Sequence, residues 1–528
     1  MKLRILGAAG EVTGSNYLIE TVKHKILIDC GFHQGQDEEK HEGEPFDFIP
    51  QEIDALLLTH AHIDHSGRIP LLVKKGFKGK IYCTHATAEL TAILLKDSTK
   101  IMQEEAMWRT KKNLRKGKPP VEPLYLDKDV ENALLQIHSI SYDQVTEIND
   151  EITLCFREAG HILGSASIET WIKENDEKVK IVFSGDLGPK DGVIEKHPAK
   201  IKDADIVLIE STYGDRLHKN LIQTRNEFQE IIKTALAKKG KILIPTFVVD
   251  RAQRLLFEFT LFQKKFPEIK MPNIYLDSPM GIATTEIYTK YITLLSTELQ
   301  NIISKGENPF EPQNFSFIKE PADSQAINEQ TEAIVLAGSG MCAGGRIMHH
   351  LKHNLFKKGT QVIFVGYQAF GTLGRRLVDG AKKVKIAGEE IRVAASLHTL
   401  GGFSAHADRD DLLDWASNFS KETLFVVVHG EPEASQSFAQ TLRENGRNAI
   451  VPSIGDEITP TGKDKSNIFT NNPQEKETRK VTELINELDE TLEEIATTHR
   501  NKETPEEIQS MLLTVKSLLK IINNFYKK

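Results

Sequence analysis

The chain has 528 residues, with 67 Lys or Arg against 75 Asp or Glu, which leaves a formal charge of −8. Its 39% hydrophobic and 27% charged content is that of an ordinary globular protein, and at roughly 100–200 residues per domain the length implies about three domains. No apolar run approaches the ~18–20 residues that span a bilayer, and the acidic balance argues against binding nucleic acid by bulk charge, so any polyanion must be held at a local positive site such as bound metal ions.

Residues 1–7 lack the apolar middle of a signal peptide and read as a strand. Apolar runs at 25–29, 55–59, 180–184 and 205–209 predict buried strands that end on polar residues. Residues 86–118 predict a helix ending in a basic stretch, 111–118, closed by Pro119-Pro120. The plain reading of that stretch is a solvated surface loop, and the functional one a rim that contacts phosphates. From 211 to 395, strands at 241–245, 273–277, 333–337 and 361–365 each precede a loop and a helical pattern, the βαβ units of an open sheet. Residues 423–428 predict another buried strand, ending on His429. Beyond Asn471-Asn472-Pro473, two amphipathic helices predict a helical hairpin over 474–528. It reads as a packing appendage, a homodimer contact or a dock for a protein partner. Four scattered cysteines without a CxxC argue against a disulfide framework and a thiolate zinc site, and favour a reducing, cytoplasmic location.

Ligating groups are densest at His60-Ala61-His62-Ile63-Asp64-His65, directly after the strand at 55–59. Residues two apart in extended chain face the same side, so His60 and His62 can grip one metal. Asp64 and His65 stand where the chain turns towards a helix, and their different direction suits a neighbouring second metal. Packing does not explain so many polar groups together, because burying them unpaired is costly. Imidazole and carboxylate without thiolate suit zinc, with manganese or iron as alternatives. Further ligands are needed, and His161 and Asp186, both near strand ends, are candidates, Asp186 as a carboxylate able to bridge two ions. Asp29, also at a strand end, suits orienting a ligand from behind.

HAHIDH together with His161, Asp186 and Asp29 resembles the metallo-β-lactamase superfamily of di-metal hydrolases, whose members include lactamases, glyoxalase II, phosphodiesterases and nucleases. Three later segments narrow the resemblance. Glu210 in 209–215 matches the first extra motif of the β-CASP branch, His406 in 402–408 the second, and His429 in 428–431 the third. Segments 338–341, 366–368 and 371–376 are similar to that branch as well. Over residues 1–465 the chain thus resembles the bacterial and archaeal relatives of the 73-kDa endonuclease subunit of the cleavage and polyadenylation specificity factor. In this branch a histidine at the third motif goes with RNA substrates, whereas DNA-processing members often have valine there.

The resemblance implies an α/β fold: a metallo-β-lactamase αββα sandwich formed by 1–210 and 396–465, with an inserted α/β β-CASP domain over 211–395. The hairpin at 474–528 lies beyond the family pattern. Two zinc ions are implied, with manganese as the alternative. His60, His62, His161 and Asp186 would hold the first, and Asp64, His65, His429 and the bridging Asp186 the second. The implied reaction is hydrolysis of RNA by a hydroxide that the two metals activate, leaving 5′-phosphate and 3′-hydroxyl. It is expected to be endonucleolytic, with a 5′–3′ exonuclease mode left open. Asp64 and the pair Glu210 and His406 are the expected catalytic groups, His406 as general acid with Glu210 fixing its tautomer. Ser339, Gly340, Arg346, Arg375 and Ser404 are expected to bind substrate. The alternatives are a β-CASP enzyme acting on DNA and a catalytically silent RNA-processing scaffold.

Overall fold

The computed structural model describes residues 1–33, 45–174, 177–366, 368–369 and 371–459. The hairpin expected at 474–528, with its homodimer and partner roles, lies outside the described residues.

Strand alternation builds the first lobe. Ile26 and Ile28 face one side of their strand and Leu27 the other, and Ile206 and Leu208 oppose Val207 and Ile209 in the same way. The inward set forms a core between two seven-stranded sheets. The first sheet runs Glu457–Ile458, Lys2–Ile5, Tyr17–Glu20, Lys25–Ile28, Ala55–Leu57, Lys80–Thr84, Ile137–Ile140. The second runs Asn448–Ile450, Leu424–Val428, Ile206–Glu210, Glu177–Phe183, Ala166–Glu174, Ile152–Glu158, Thr146–Glu147. Outward residues of the first sheet pack against Ile69, Leu72, Leu95 and Val130 on helices, and those of the second against Leu412, Trp415, Phe438 and Leu442. Two sheets inside and helices outside make the expected αββα sandwich.

Chain returns make the insertion visible. Leu424–Val428 pairs in parallel with Ile206–Glu210, register Glu210 to Val428, so Glu210 and His429 leave the sheet side by side. The last described strand, Glu457–Ile458, closes on Lys2–Ile5. Between these returns lies a second lobe with an all-parallel sheet ordered Phe315–Phe317, Ile274–Leu276, Ala333–Ala337, Lys241–Pro245, Gln361–Phe364, Ser396–Thr399. It is apolar on both faces, as parallel sheets covered by helices are. Its edge strand Ser396–Thr399 pairs with Gln361–Phe364, so this sheet runs four residues past the boundary expected at 395.

The lobes share one core. Ala61, Leu90, Ile162, Leu163 and Ile194 of the sandwich belong to the same apolar cluster as Phe228, Leu256, Phe259 and Tyr288 of the insertion. Lys290 Nζ and Tyr291 Oη add bonds of 2.6 Å to Glu89 across the seam.

Two differences from the expected elements have local causes. The strand expected at 25–29 stops at Ile28 because Asp29 turns to φ 55°. The long antiparallel strands Ala166–Glu174 and Glu177–Phe183 are only partly evident in the sequence, because Glu169, buried among them, pairs with Arg157 and Lys180 and breaks the apolar pattern.

Candidate metal centre

After the central strand Ala55–Leu57 the chain carries His60 and His62 in a short irregular stretch and then turns into the short helix Ile63–Ser66, which presents Asp64 and His65. The loop after Lys25–Ile28 passes against that helix so closely that a Cβ on Gly31 would lie 1.6 Å from the Asp64 carbonyl oxygen. His161 follows Ile152–Glu158, and Asp186 follows Glu177–Phe183 through Gly185 at φ 57°. A glycine suits that left-handed position, and a Cβ there would press on Ala166 and Thr59.

Seven side chains converge in two groups. His60 Nε2 and His161 Nε2 each lie 3.1 Å from His62 Nδ1, and both lie 3.5 Å from Asp186 Oδ2. In the second group, His65 Nε2 is 3.2 Å from His429 Nε2, and Asp64 Oδ2 is 3.6 Å from His429 Nε2. Asp186 Oδ1 faces this group, 3.3 Å from His65 and 3.6 Å from His429. Asp186 thus turns one oxygen to each group, as a bridging carboxylate does.

These contacts fit metal ions better than hydrogen bonds. Ligands about 2.0–2.1 Å from a tetrahedral ion stand about 3.3 Å apart, close to the observed spacings. Three ring nitrogens meeting at one point cannot satisfy one another, since each neutral imidazole has one donor and one acceptor. Asp186 Oδ1 is buried with no hydrogen-bond partner among the described residues.

Each imidazole with its Nε2 inward is held from behind through Nδ1. His65 Nδ1 lies 2.7 Å from Asp29 Oδ2, and Asp29 also accepts from Thr59 N and Oγ1, both at 2.8 Å. His60 Nδ1 meets Thr59 Oγ1 at 3.1 Å, His161 Nδ1 the Ala405 carbonyl at 2.9 Å, and His429 Nδ1 Thr212 Oγ1 at 3.1 Å. Such partners fix ring orientation and tautomer. Asp29, expected to orient a ligand from behind, lies behind the His65 ring. Thr59, Thr212 and the Ala405 carbonyl were not singled out, because strand-end threonines and a backbone oxygen carry no pattern of their own.

Without cations the electrostatics are polarised. Burial drives the His60 pKa well below the ordinary imidazole value, helped by the charge of His65. Burial also opposes charge on His65, but Asp186, Asp29 and Asp64 outweigh it and push its pKa well up. Asp186, despite burial, is held well below the carboxylate range by His429, His65 and His60. Three carboxylates, Asp29, Asp64 and Asp186, and five histidines in one place are a strong field for cations.

His406 flanks the first group. Its Nδ1 lies 3.2 Å from Glu210 Oε1, and an acceptor-only carboxylate there fixes the proton on Nδ1 and leaves Nε2 as the second site. Glu210 is fully buried and also accepts from Leu187 N at 2.7 Å. Burial works against a charged His406, but the Glu210 charge and hydrogen bond push its pKa up to about 9.

The residues expected to bind substrate do not join this cluster as ligands. Ser404 Oγ accepts from His406 N at 3.1 Å and so braces the proposed acid. Ser339 Oγ accepts from Ala343 N at 2.9 Å, and Gly340 packs against Phe247. Arg375 is half-buried and pairs with Asp379 at 3.0 Å. Arg346 turns into its own domain, donating to Asp277 at 2.5 Å and to the Ile318 and Lys319 carbonyls at 3.0 and 2.6 Å.

Sandwich, seven-residue cluster and bridging carboxylate together define a metallohydrolase. The comparisons with known proteins agree. Residues 9–233 match the family described as the metallo-beta-lactamase superfamily, 252–377 the Beta-Casp domain, and 390–452 the Zn-dependent metallo-hydrolase RNA specificity domain. The chain is 39% identical to Ribonuclease TTHA0252 of Thermus thermophilus, over 87% of this chain and 100% of that one. It is 32% identical to Transcription termination factor FttA of Methanococcus maripaludis, over 84% of this chain and 68% of that one. The chain belongs to the β-CASP branch of the metallo-β-lactamase superfamily. No helix among the described residues is long and apolar enough to cross a membrane.

Proposed function

We propose that the protein is a ribonuclease that hydrolyses RNA phosphodiesters, with two zinc ions, or manganese, as its metals. The observation that carries this reading is Asp186, whose two oxygens face two separate ligand groups while His406 flanks one of them. The RNA assignment draws support from the relative named a ribonuclease and from the RNA specificity domain matched over 390–452, which contains His406 and His429.

His60, His62, His161 and Asp186 would hold one ion, and Asp64, His65, His429 and Asp186 the other. When bound, two such ions lower the pKa of a water and neutralise charge on a phosphate oxygen. The chain's own residues do the rest. Asp64 and Asp186 bring negative charge to the cations and fix their places. His406, protonated on both nitrogens and steadied by Glu210, donates to the departing 3′-oxygen, so the products carry 5′-phosphate and 3′-hydroxyl. Ser404 holds the His406 backbone, while Ser339, Gly340 and Arg375 stand in the inserted lobe as contacts for flanking nucleotides. The proposed mode is endonucleolytic, with 5′–3′ trimming as an added mode, and the proposed location is the cytoplasm, in keeping with four buried, unpaired cysteines.

Single-stranded RNA labelled separately at each end tests this, with matched DNA and an Asp186→Ala variant alongside. Internal cuts in RNA alone, lost in the variant, are expected. Equal cutting of DNA, or cleavage that survives the substitution, overturns the reading.

A further inference from the structure

Two arginines sit one turn apart at the start of the helix Arg251–Lys265, and they have opposite fates. Arg254 is buried, and its guanidinium donates to Asp250 at 2.8 Å and to Glu195 at 3.0 Å, tying the insertion to the sandwich. Arg251 is half-buried, and its Nε, shielded from solvent, has no hydrogen-bond partner among the described residues. Asp250, the nearest acid in the chain, is already taken by Arg254. A charged donor kept buried and unpaired is unfavourable unless its partner arrives from outside.

The surroundings indicate what that partner is. The helix begins at the carboxyl end of Lys241–Pro245, which lies between Ala333–Ala337 and Gln361–Phe364 in the parallel sheet. The chain visits one side of this strand first and the other side afterwards, and at such a switch point open parallel sheets bind ligands. The loop after Ala333–Ala337 meets the same place, since a Cβ on Gly340 would lie 2.7 Å from the Phe247 ring. Ser396–Thr399 runs parallel to its neighbour, so its carboxyl end lies on the same side, and from there the chain leads to Ser404 and His406. The charge of Arg251 is felt by Tyr213, whose ring meets that of His406 edge-on at 6.1 Å. A cation with an unpartnered donor therefore stands at the carboxyl end of the parallel sheet, near the Tyr213 ring that meets the proposed acid.

We propose that Arg251 binds a non-bridging oxygen of the RNA phosphate next to the one that is cleaved. The assignment rests on the ribonuclease reading and adds to it a specific contact that places the strand. A planar guanidinium matches a phosphate through two parallel bonds, which a lysine ammonium does not reproduce. Arg254, buried and held by Asp250 and Glu195, and Arg346, turned into its own domain, do not offer this.

The test uses the full metal-loaded chain, with Arg251→Met and Arg251→Lys beside the parent. Metal content is measured first, then turnover of single-stranded RNA and of bis(4-nitrophenyl) phosphate, a diester with no neighbouring phosphate. RNA affinity is read by fluorescence anisotropy in a His406→Ala background, where the proposed metal ligands are intact and turnover is slowed about 10²–10⁴-fold. The expected result for Arg251→Met is a full metal complement, an RNA loss at least tenfold larger than the small-diester loss, and RNA affinity at least tenfold weaker. The slope of log Kd against log salt should become shallower by about 0.7, the share of one phosphate contact on a single strand. Arg251→Lys should fall between. RNA affinity within twofold of the parent, or equal losses on both substrates, overturns the assignment. A parent that neither binds nor cuts RNA defeats the ribonuclease reading itself.

Discussion

His65 and His429 are 364 residues apart in the chain, yet their Nε2 atoms lie 3.2 Å from each other. One comes from the short helix after a strand of the first sheet and the other directly follows a strand of the second. An ion held between them, as proposed, would fasten the two halves of the sandwich together. Removing metal should therefore lower the thermal transition of the whole molecule. A ligand at 100 times its Kd stabilises by about 2.7 kcal/mol. Calorimetry with and without chelator checks this, and an unchanged Tm would place the metals outside the folding equilibrium.

Asp186→Asn keeps the shape and removes the charge that faces both groups. Loss of bound metal and a fall in RNA turnover of at least about a thousandfold are expected, since in the proposed mechanism the ions would activate the attacking water. Metal analysis by mass spectrometry beside an activity assay distinguishes this from a loss of chemistry alone.

The proposed acid role of His406 makes a signed prediction in pH. Its pKa is raised to about 9 in the metal-free chain, so the proton it donates is present below that value and lost as pH rises through it. Nearby cations lower the value. Glu210→Gln removes the charge that raises it, and the alkaline limb of kcat should move to lower pH. A profile that does not move assigns that limb to another group. His406→Ala should cost about 10²–10⁴-fold on RNA and much less on a diester with a nitrophenolate leaving group, which needs no proton.

Thr59→Val removes the hydroxyl shared by Asp29 and His60 while keeping the shape. A metal affinity about 10–100-fold weaker, with little change in secondary structure, is expected from loosening the ring orientations. Competition with a chromogenic chelator measures it.

Gly31→Ala tests the fit of the loop behind the short metal-binding helix. The added methyl would lie 1.6 Å from the Asp64 carbonyl oxygen, an overlap only backbone movement relieves, so destabilisation of at least about 1–3 kcal/mol is expected. Urea titration of parent and variant reads the difference.

Legibility in the sequence followed how local each feature is. HAHIDH was readable outright as a candidate site, since four ligating side chains lie within six residues after a buried strand. His161 and Asp186 stand singly in unremarkable loops, and the family resemblance was needed to join them to the cluster. Arg251 left no trace, because a missing partner is a property of the packed molecule; in the sequence it looks no different from Arg254. The extent of the insertion was also obscured, since the strand Ser396–Thr399 has an exposed, polar edge rather than the apolar run of its neighbours.

The seam between the lobes has a consequence for how the molecule comes apart. Ile162 and Leu163, beside the ligand His161, are packed in one cluster with Phe228, Leu256 and Phe259 of the insertion. Parting the lobes would expose that surface and loosen the His161 loop in the same event. The joints at which one lobe is spliced into the other are therefore not seams in energy: the protein should melt in a single step, and the gap that receives a strand keeps a set width instead of opening like a jaw.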